Sequence, residues 1–275
     1  MKKQILYLLT LTLVALALVG CGALQEPAQP SAPLEAVPLQ LDSQPAAEPA
    51  APTDVPPQAE AYPAGETAVD AYPAGETAAE PASAYPADDA ATAARGDERR
   101  IFAIDQANSE VRFTLDEDLR GERVTVVGVT NQVAGQLALD LNDLSTTQVG
   151  TLLINARTLV TDNDFRNRAM QNEILETGTH EFISFAPTAV TGLPASAAIG
   201  EAITFNIEGD LTIRNITQPV VFVVTATAVS ETQISGTASA TVSRADYDLR
   251  IPNVPSVANV DDAVVLTIDF TANTN

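Results

Sequence analysis

The chain has 275 residues and a formal net charge of −22, with 36 acidic residues against 14 lysines and arginines. A surface this acidic repels nucleic acid and anionic lipid headgroups, so neither is an expected partner. A single cysteine excludes an intrachain disulfide, and one histidine with one cysteine is too few for a zinc site.

The first twenty residues have the organisation of an export signal. Met1-Lys-Lys-Gln is a short basic segment, and the run from Ile5 to Val19 is almost entirely apolar. An apolar run of about 15 residues is too short for a transmembrane helix, which needs roughly 20. We therefore predict that residues 1–20 are a cleaved signal peptide and that the protein is exported.

The end of this signal, Leu18-Val-Gly-Cys21, resembles the lipobox of bacterial lipoproteins. The resemblance implies that Cys21 is the lipid attachment site, and two or three acyl chains anchor a protein stably to a bilayer. The membrane is then a partner through this anchor. We expect a location at the cell envelope, on the outer membrane facing the periplasm in a two-membrane cell and otherwise on the outer face of the cell membrane. An ordinary cleaved signal that leaves Cys21 unmodified is the alternative.

Residues 21–98 have the composition of a disordered tether. They contain 13 of the 18 prolines, and their aromatic residues are three tyrosines in imperfect Tyr-Pro-Ala repeats, at Tyr62, Tyr72 and Tyr85. Few branched apolar residues and many prolines give too little burial to offset the chain entropy. We predict that this segment contributes nothing to a core and spans on the order of 50 Å. The repeats are either a docking motif or low-complexity drift.

Residues 99–275 show the period-two alternation of an all-β domain. Every second residue from Ile203 to Ile213 is apolar or glycine, and similar inward-facing sets lie in 111–115, 133–141 and 264–270. Further strands are predicted at 150–156, 181–190, 218–229 and 233–242, with one helix from about Asp164 to Leu175. About eight strands at this spacing predict an antiparallel barrel or sandwich.

One predicted strand bears on function. Gly236, Ala238 and Ala240 share its inward face, and three successive small residues leave volume unless neighbouring side chains fill it. An eight-stranded barrel can be filled by its own side chains or hold one small ligand. Both possibilities stay open on this strand alone. The side chains that could fill the space are Phe113, Phe205 and Phe270.

The domain has no convincing catalytic or metal-binding constellation. His180, the only histidine, stands at the start of a predicted strand, and no Gly-x-Ser-x-Gly nucleophile turn occurs in the domain. Asp162-Asn-Asp164 lacks the further oxygen ligands and the glycine of an EF-hand loop. We predict no catalytic residue, no metal ligand and no cofactor.

Three stretches, at residues 158–166, 209–217 and 242–248, resemble the YceI-like family in their order and spacing. The resemblance extends from about Phe102 to Thr271. It implies a lipocalin-like antiparallel β-barrel that binds a polyisoprenoid or a quinone-like chain, and it favours a ligand tunnel over a solid core.

Individual residues match the family motifs or depart from them. Arg166, Arg244 and Asp246 occupy motif positions, and we expect each to hold local structure. Asn167 stands where the family has aspartate, which removes a possible ion pair. In the remaining departures, Tyr247 replaces phenylalanine, Asp248 replaces glycine, and Asn108 replaces histidine.

These observations predict a non-catalytic carrier or store for a long apolar lipid, such as a polyisoprenoid or an isoprenoid quinone. Two alternatives are a solid-core interaction module at the envelope and an enzyme or accessory factor of isoprenoid-quinone metabolism. The oligomeric state is not predicted. The residues predicted to line the ligand site are Phe113, Leu115, Leu137, Leu139, Phe205, Ile207, Leu211, Gly236, Ala238, Ala240, Leu266 and Ile268.

Overall fold

The computed structural model describes residues 25–41 and 98–274. The predicted signal peptide, the lipid attachment site Cys21 and the Tyr-Pro-Ala repeats all lie outside the described residues. Within those residues, no helix is both long enough and apolar enough to span a bilayer.

The described part of the chain forms thirteen β-strands and one short α-helix, α1, at Asp164–Ala169, which continues into a π-helical turn at Met170–Ile174. The first seven strands are β1 Arg100–Ile104, β2 Glu110–Leu119, β3 Glu122–Thr130, β4 Val133–Ala134, β5 Gln136–Asp140, β6 Asp143–Val149 and β7 Leu152–Asn155. The others are β8 Phe182–Thr191, β9 Ala202–Ile213, β10 Ile216–Ser230, β11 Gln233–Ser243, β12 Val257–Ala258 and β13 Ala263–Thr274.

The strands form one curled antiparallel sheet with the order β4-β7-β8-β9-β10-β11-β13-β1-β5-β6. Only Gly135 separates β4 from β5, and only Gly150 and Thr151 separate β6 from β7. Each end strand of this order, β4 or β6, is therefore consecutive in the chain with the strand next to the opposite end, β5 or β7, and the sheet turns back on itself. A second branch consists of β2, which pairs with β13 and β3. This architecture confirms the predicted all-β, barrel-like fold.

The predicted alternation is present in the long strands. In β9, Gly209, Leu211 and Ile213 are buried, and the neighbouring Glu208 and Asp210 are exposed. The predicted inward faces of β11 and β13 likewise contribute Ala238, Ala240, Val264 and Ile268 to the core. The predicted helix also forms, and the Asn163 side chain caps it by accepting from the backbone N–H groups of Phe165 and Arg166.

Four strands, β1, β3, β6 and the two-residue β12, were not predicted. In β3, Val127 and Val129 lie on the outer face while Val124 and Val126 lie on the inner one, so the sequence shows a β-branched run without alternation. β6 is mostly polar, and its only fully buried side chain is that of Leu144. The strand count also rises because the breaks at Gly135 and Gly150 each divide a longer strand.

Three phenylalanines lie over glycines on neighbouring strands. Phe113 is directly opposite Gly128, and Phe270 is directly opposite Gly236. The third ring, Phe185, covers Gly209: a Cβ added at Gly209 would lie 2.7 Å from the Cζ atom of Phe185. In each pair, the aromatic ring occupies the space that a side chain would fill if the glycine had one.

The N-terminal strap, residues 25–41, corrects the predicted tether. Its Leu34 side chain is only 7% exposed, and the Leu34 carbonyl accepts from Gln106 Nε2 at 2.8 Å. The Ser31 N–H and Oγ both donate to Glu181, at 2.9 and 2.6 Å. The prediction that residues 21–98 contribute nothing to the core is wrong for this part, because backbone groups and one leucine attach it to the domain.

The barrel has two distinct ends. At the helix end lie α1, the β2–β3 turn and the β9–β10 turn, where Arg214 pairs with Glu176 at 2.7 Å. At the cavity end lie the β5–β6 turn, the β10–β11 turn and a cap loop, residues 192–201, between β8 and β9. The cap loop crosses this end because the Leu144 N–H donates to the Ala195 carbonyl at 2.9 Å, and the Ala197 N–H donates to the Leu141 carbonyl at 3.0 Å.

Candidate functional site

An apolar cavity lies inside the barrel near the cavity end. Its wall is formed by strands β1, β5 to β7, β9, β10, β11 and β13 together with the cap loop. The lining residues are Ile104, Gln136, Leu137, Leu139, Leu141, Leu144, Thr147, Val149, Leu152, Leu193, Ala197, Glu201, Ile203, Phe205, Ile207, Val224, Ala226, Ala228, Ile234, Ala238, Ile268 and Phe270.

The cavity is narrow, with a volume of about 110 Å³. An engineered protein cavity of about 150 Å³ binds a single benzene ring, so a long chain does not fit this space unless the lining moves apart. Several inward-facing side chains, among them Leu137, Phe205 and Phe270, are only half-buried, which leaves them incompletely packed against their neighbours. Uptake of a chain then requires these side chains to shift.

Among the described residues, three polar ones and no basic one line the cavity. The carboxylate of Glu201 accepts from the Ala198 N–H at 3.1 Å, and Gln136 Oε1 accepts from the Leu39 N–H of the strap at 2.8 Å. The buried Oγ1 of Thr147 has no hydrogen-bond partner within the described residues. Thr147 can therefore donate a hydrogen bond to an uncharged oxygen on a ligand, whereas Glu201 repels an anionic headgroup.

Six of the twelve residues predicted to line a ligand site do line this cavity: Leu137, Leu139, Phe205, Ile207, Ala238 and Ile268. Ligand contact by these residues stays a prediction. The other six, Phe113, Leu115, Leu211, Gly236, Ala240 and Leu266, face the interior but lie away from the cavity.

The row of small residues on β11 illustrates the difference. A Cβ added at Gly236 would lie 2.9 Å from the Cζ of Phe270 and 2.5 Å from the Thr225 carbonyl oxygen, so no space remains there. Ala240 is buried in the core, and only Ala238 borders the cavity. At Gly236, the Phe270 ring therefore fills the space. This is one of the two alternatives that the sequence left open.

The helix end of the interior is filled. The rings of Phe185 and Phe222 meet edge to face with centroids 5.0 Å apart, and Leu211 is 2% exposed in the same core. Tyr247, the largest fully buried side chain, has no hydrogen-bond partner for its hydroxyl within the described residues. Burial raises the pKa of Tyr247 to about 12, with a smaller contribution from the charge of Asp246. Because its hydroxyl is buried without a partner, the position of Tyr247 would suit a phenylalanine.

The motif residues hold local structure at the helix end. Arg166 on α1 pairs with Glu117 of β2 at 2.9 Å and with Asp162 at 2.5 Å, which ties the helix to the barrel. The Asn167 side chain accepts from the Thr161 N–H at 2.7 Å, a contact that an amide oxygen provides without an ion pair.

The second motif forms a turn. Arg244 Nη1 donates to the Leu249 carbonyl at 2.5 Å, and the Asp246 carbonyl accepts from Gln218 Nε2 at 3.0 Å. Hydrogen bonds from Ser243 and from the Ala245 N–H, opposed by slight burial, lower the pKa of Asp262 beside this turn. Arg244 is therefore a turn residue and does not reach the cavity.

Sequence reasoning missed the lining residues contributed by irregular segments and by β6. Leu193 and Ala197 belong to the cap loop, and Leu144 and Thr147 belong to β6. The one available signal was Leu193 and Pro194 after Gly192, which marks a turn but says nothing about where the loop folds.

A protein-family model described as a YceI-like domain matches residues 102–272, more than half of the chain. No curated protein matches the chain significantly.

Solved structures with this architecture include a polyisoprenoid binding domain from Saccharophagus degradans implicated in plant cell wall breakdown. It is 16% identical, with a TM-score of 0.51, over 63% of this chain and 98% of that one. BcnA from Burkholderia cenocepacia is 17% identical, with a TM-score of 0.49, over 62% and 99%. A Campylobacter jejuni YceI protein is 14% identical, with a TM-score of 0.42, over 52% and 81%. At such identities the first likeness shows the fold alone.

Proposed function

This chain belongs to the YceI-like family, and from that premise we propose that its barrel binds a long apolar lipid without catalysis. The proposed ligand class is a polyisoprenoid or an isoprenoid quinone, and the proposed role is that of a carrier or store. The polyisoprenoid-binding domain from Saccharophagus degradans shares the fold, which supports this choice of ligand.

One observation carries the proposal: the interior cavity is walled almost entirely by apolar side chains. Burial of apolar area drives such binding at roughly 25 cal/mol per Å², without a need for specific polar contacts. The cavity is smaller than the ligand, so binding must spread Leu137, Phe205 and the cap loop.

The lining also favours an uncharged end group. A phosphate or pyrophosphate on the lipid would meet Glu201 and no basic partner in the cavity wall. Thr147 Oγ1 lies unpaired at the same wall and suits a carbonyl or hydroxyl oxygen. We propose the free alcohol or the quinone form of the chain as ligand.

We further propose that Cys21 carries the lipid anchor and places the domain at the cell envelope. The support is the sequence Leu18-Val-Gly-Cys21 that ends the signal segment. Substitution of Cys21 by serine should leave the protein unacylated and release it from the membrane fraction. Wild-type protein with an unmodified thiol would contradict the anchor without affecting the lipid-binding proposal.

Native mass spectrometry of the full chain, purified from its own envelope, tests the ligand. The expected result is a population whose extra mass identifies one isoprenoid chain, lost on organic extraction. The matched control is Ala238→Phe, which should place a ring in the cavity and remove the extra mass. A wild-type protein without any bound lipid, which also fails to take up added quinone, would favour the solid-core interaction module.

A further inference from the structure

The strap follows a defined path from the helix end of the barrel towards the cavity. The Gln25 carbonyl accepts from Asn172 Nδ2 at 2.7 Å, directly after α1. The Gln29 carbonyl then accepts from Arg157 Nη1 at 2.9 Å. At the other end of the strap, the Leu39 N–H donates to Gln136 at the cavity wall. The strap therefore begins at the helix end.

The attachment of the strap is strongest at Glu181. This carboxylate pairs with Arg157 at 2.8 Å, and both side chains are largely buried, at 10% and 13% exposure. It also accepts from the Ser31 N–H and Oγ and from Asn155 Nδ2. An ionised, largely buried carboxylate with three hydrogen-bond donors and one ion pair holds its partners more firmly than a surface ion pair does.

The start of the strap lies only four residues after Cys21, the proposed lipid attachment site. Four residues span roughly 14 Å at most when fully extended. The cavity end lies much farther away, because β9 alone, with 12 residues, runs about 40 Å from one end towards the other. With the strap in place, an acyl anchor on Cys21 can bring the helix end to the bilayer but cannot bring the cavity end there.

An exposed aromatic side chain lies on the helical segment to which the start of the strap is bound. Phe165 on α1 is 73% exposed, the largest exposure among the large hydrophobic side chains of the described residues. Asn172, which binds the start of the strap, lies in the π-helical turn that directly continues α1, so Phe165 and the start of the strap are both at the helix end. Phenylalanine is one of the side chains with which helices at a membrane surface enter the boundary between headgroups and acyl chains.

We propose that the strap fixes the orientation of the domain on the membrane, with the helix end against the lipid surface through Phe165 and the cavity end facing away. This proposal rests on the proposed acylation of Cys21. The contact between the helix end and the membrane relies on apolar burial and not on charge. Acidic residues outnumber the two arginines between residues 162 and 176, so this surface is not attracted to anionic headgroups. A lipid that leaves at the cavity end therefore enters the space opposite the anchoring membrane, where an acceptor protein or a second membrane must receive it.

Depth-dependent fluorescence quenching tests this orientation. The chain contains no tryptophan, so Phe165→Trp and Ile199→Trp each provide a single reporter, one at the helix end and one in the exposed cap loop. The acylated full chain is placed in phosphatidylcholine vesicles with or without bromine on the acyl chains. We expect brominated vesicles to quench most of the emission of Phe165→Trp and little of that of Ile199→Trp, at low and at high salt alike.

Releasing the strap should abolish this difference. Adding Ser31→Ala and Glu181→Gln to each reporter removes the main attachment, and the quenching of Phe165→Trp should fall to that of Ile199→Trp. Equal quenching of the two single reporters in acylated protein would overturn the orientation, as would no quenching of either. Mass spectrometry of Cys21 is recorded on the same samples: an unacylated cysteine defeats the anchor and the orientation together, whereas acylation with equal quenching defeats the orientation alone.

Discussion

The two halves of the barrel interior are built from the same strands but differ in what fills them. Near the helix end, Phe185, Phe222 and Tyr247 pack into a continuous core. Near the cavity end, Phe205 and Ala238 face an open space of about 110 Å³. Inward-facing small residues therefore do not by themselves create a binding site. The space beside them stays open only where no aromatic ring from a neighbouring strand fills it.

The largest expected effect comes from removing a ring in the filled half. Phe222→Ala should lower the free energy of unfolding by about 3–5 kcal/mol, because it leaves a cavity in a tightly packed core. Phe205→Ala should cost clearly less, since Phe205 already faces open space on one side and loses fewer contacts. Urea unfolding of both variants measures the two values. Equal losses would show that the halves are packed alike.

Adding a larger side chain should also affect the two halves differently, with a greater loss of stability in the filled half. Ala240→Phe inserts a ring into packed core and should cost about 1–3 kcal/mol or more of stability. Ala238→Phe inserts the same ring at the cavity, so it should abolish lipid uptake with a smaller change in melting temperature. Thermal melts and a quinone-binding titration on both variants give the comparison. Retained binding in Ala238→Phe would place the ligand elsewhere.

Acid should release the strap that connects the two halves. Burial alone raises the pKa of Glu181, but hydrogen bonds from Ser31 and Asn155 and the charge of Arg157 outweigh it and lower that pKa below its ordinary value. The stabilisation is therefore complete above the ordinary glutamate pKa and is lost as the pH falls through the lowered pKa of the folded state. The Ser31 amide resonance, followed by NMR from neutral pH downward, should report the release.

The matched control is Glu181→Gln, in which the Ser31 resonance should already lie at its released position at neutral pH. The amide of Phe222 serves as the reference, because its strand should stay folded while the strap detaches. If the resonances of Ser31 and Phe222 change together, the strap has no separate transition and only global acid unfolding is observed.

The smallest expected effect lies in the filled half. Tyr247→Phe removes a buried hydroxyl without a protein partner and should raise the free energy of unfolding by about 1 kcal/mol. Differential scanning calorimetry is sensitive enough for this change. A lower melting temperature would mean that the hydroxyl makes a stabilising hydrogen bond, for example to an ordered water.

Much of the barrel follows from alternation, since one buried face dictates period two. It placed Ile203 to Ile213 and the inward face of β11 correctly. Local alternation says nothing about which side chain meets which across strands, so Gly236 was predicted to line a site although Phe270 covers it. Composition did not predict the strap, because several of its contacts use backbone groups, such as the N–H groups of Ser31 and Leu39, which composition does not distinguish. The cap loop was missed for the same reason.

The phenylalanines that lie over glycines have a consequence for how the strands find their partners during folding. In β11, serine, threonine, alanine and glycine alternate, and a slip of two residues against β13 would keep every side chain on its own face. Alternation therefore cannot reject that mispairing. A slip would set Phe270 opposite Ala238 or Ile234 instead of Gly236, and no gap would receive the ring. The Phe270 ring therefore favours one register of β11 against β13, although the other side chains of β11 would tolerate a slip.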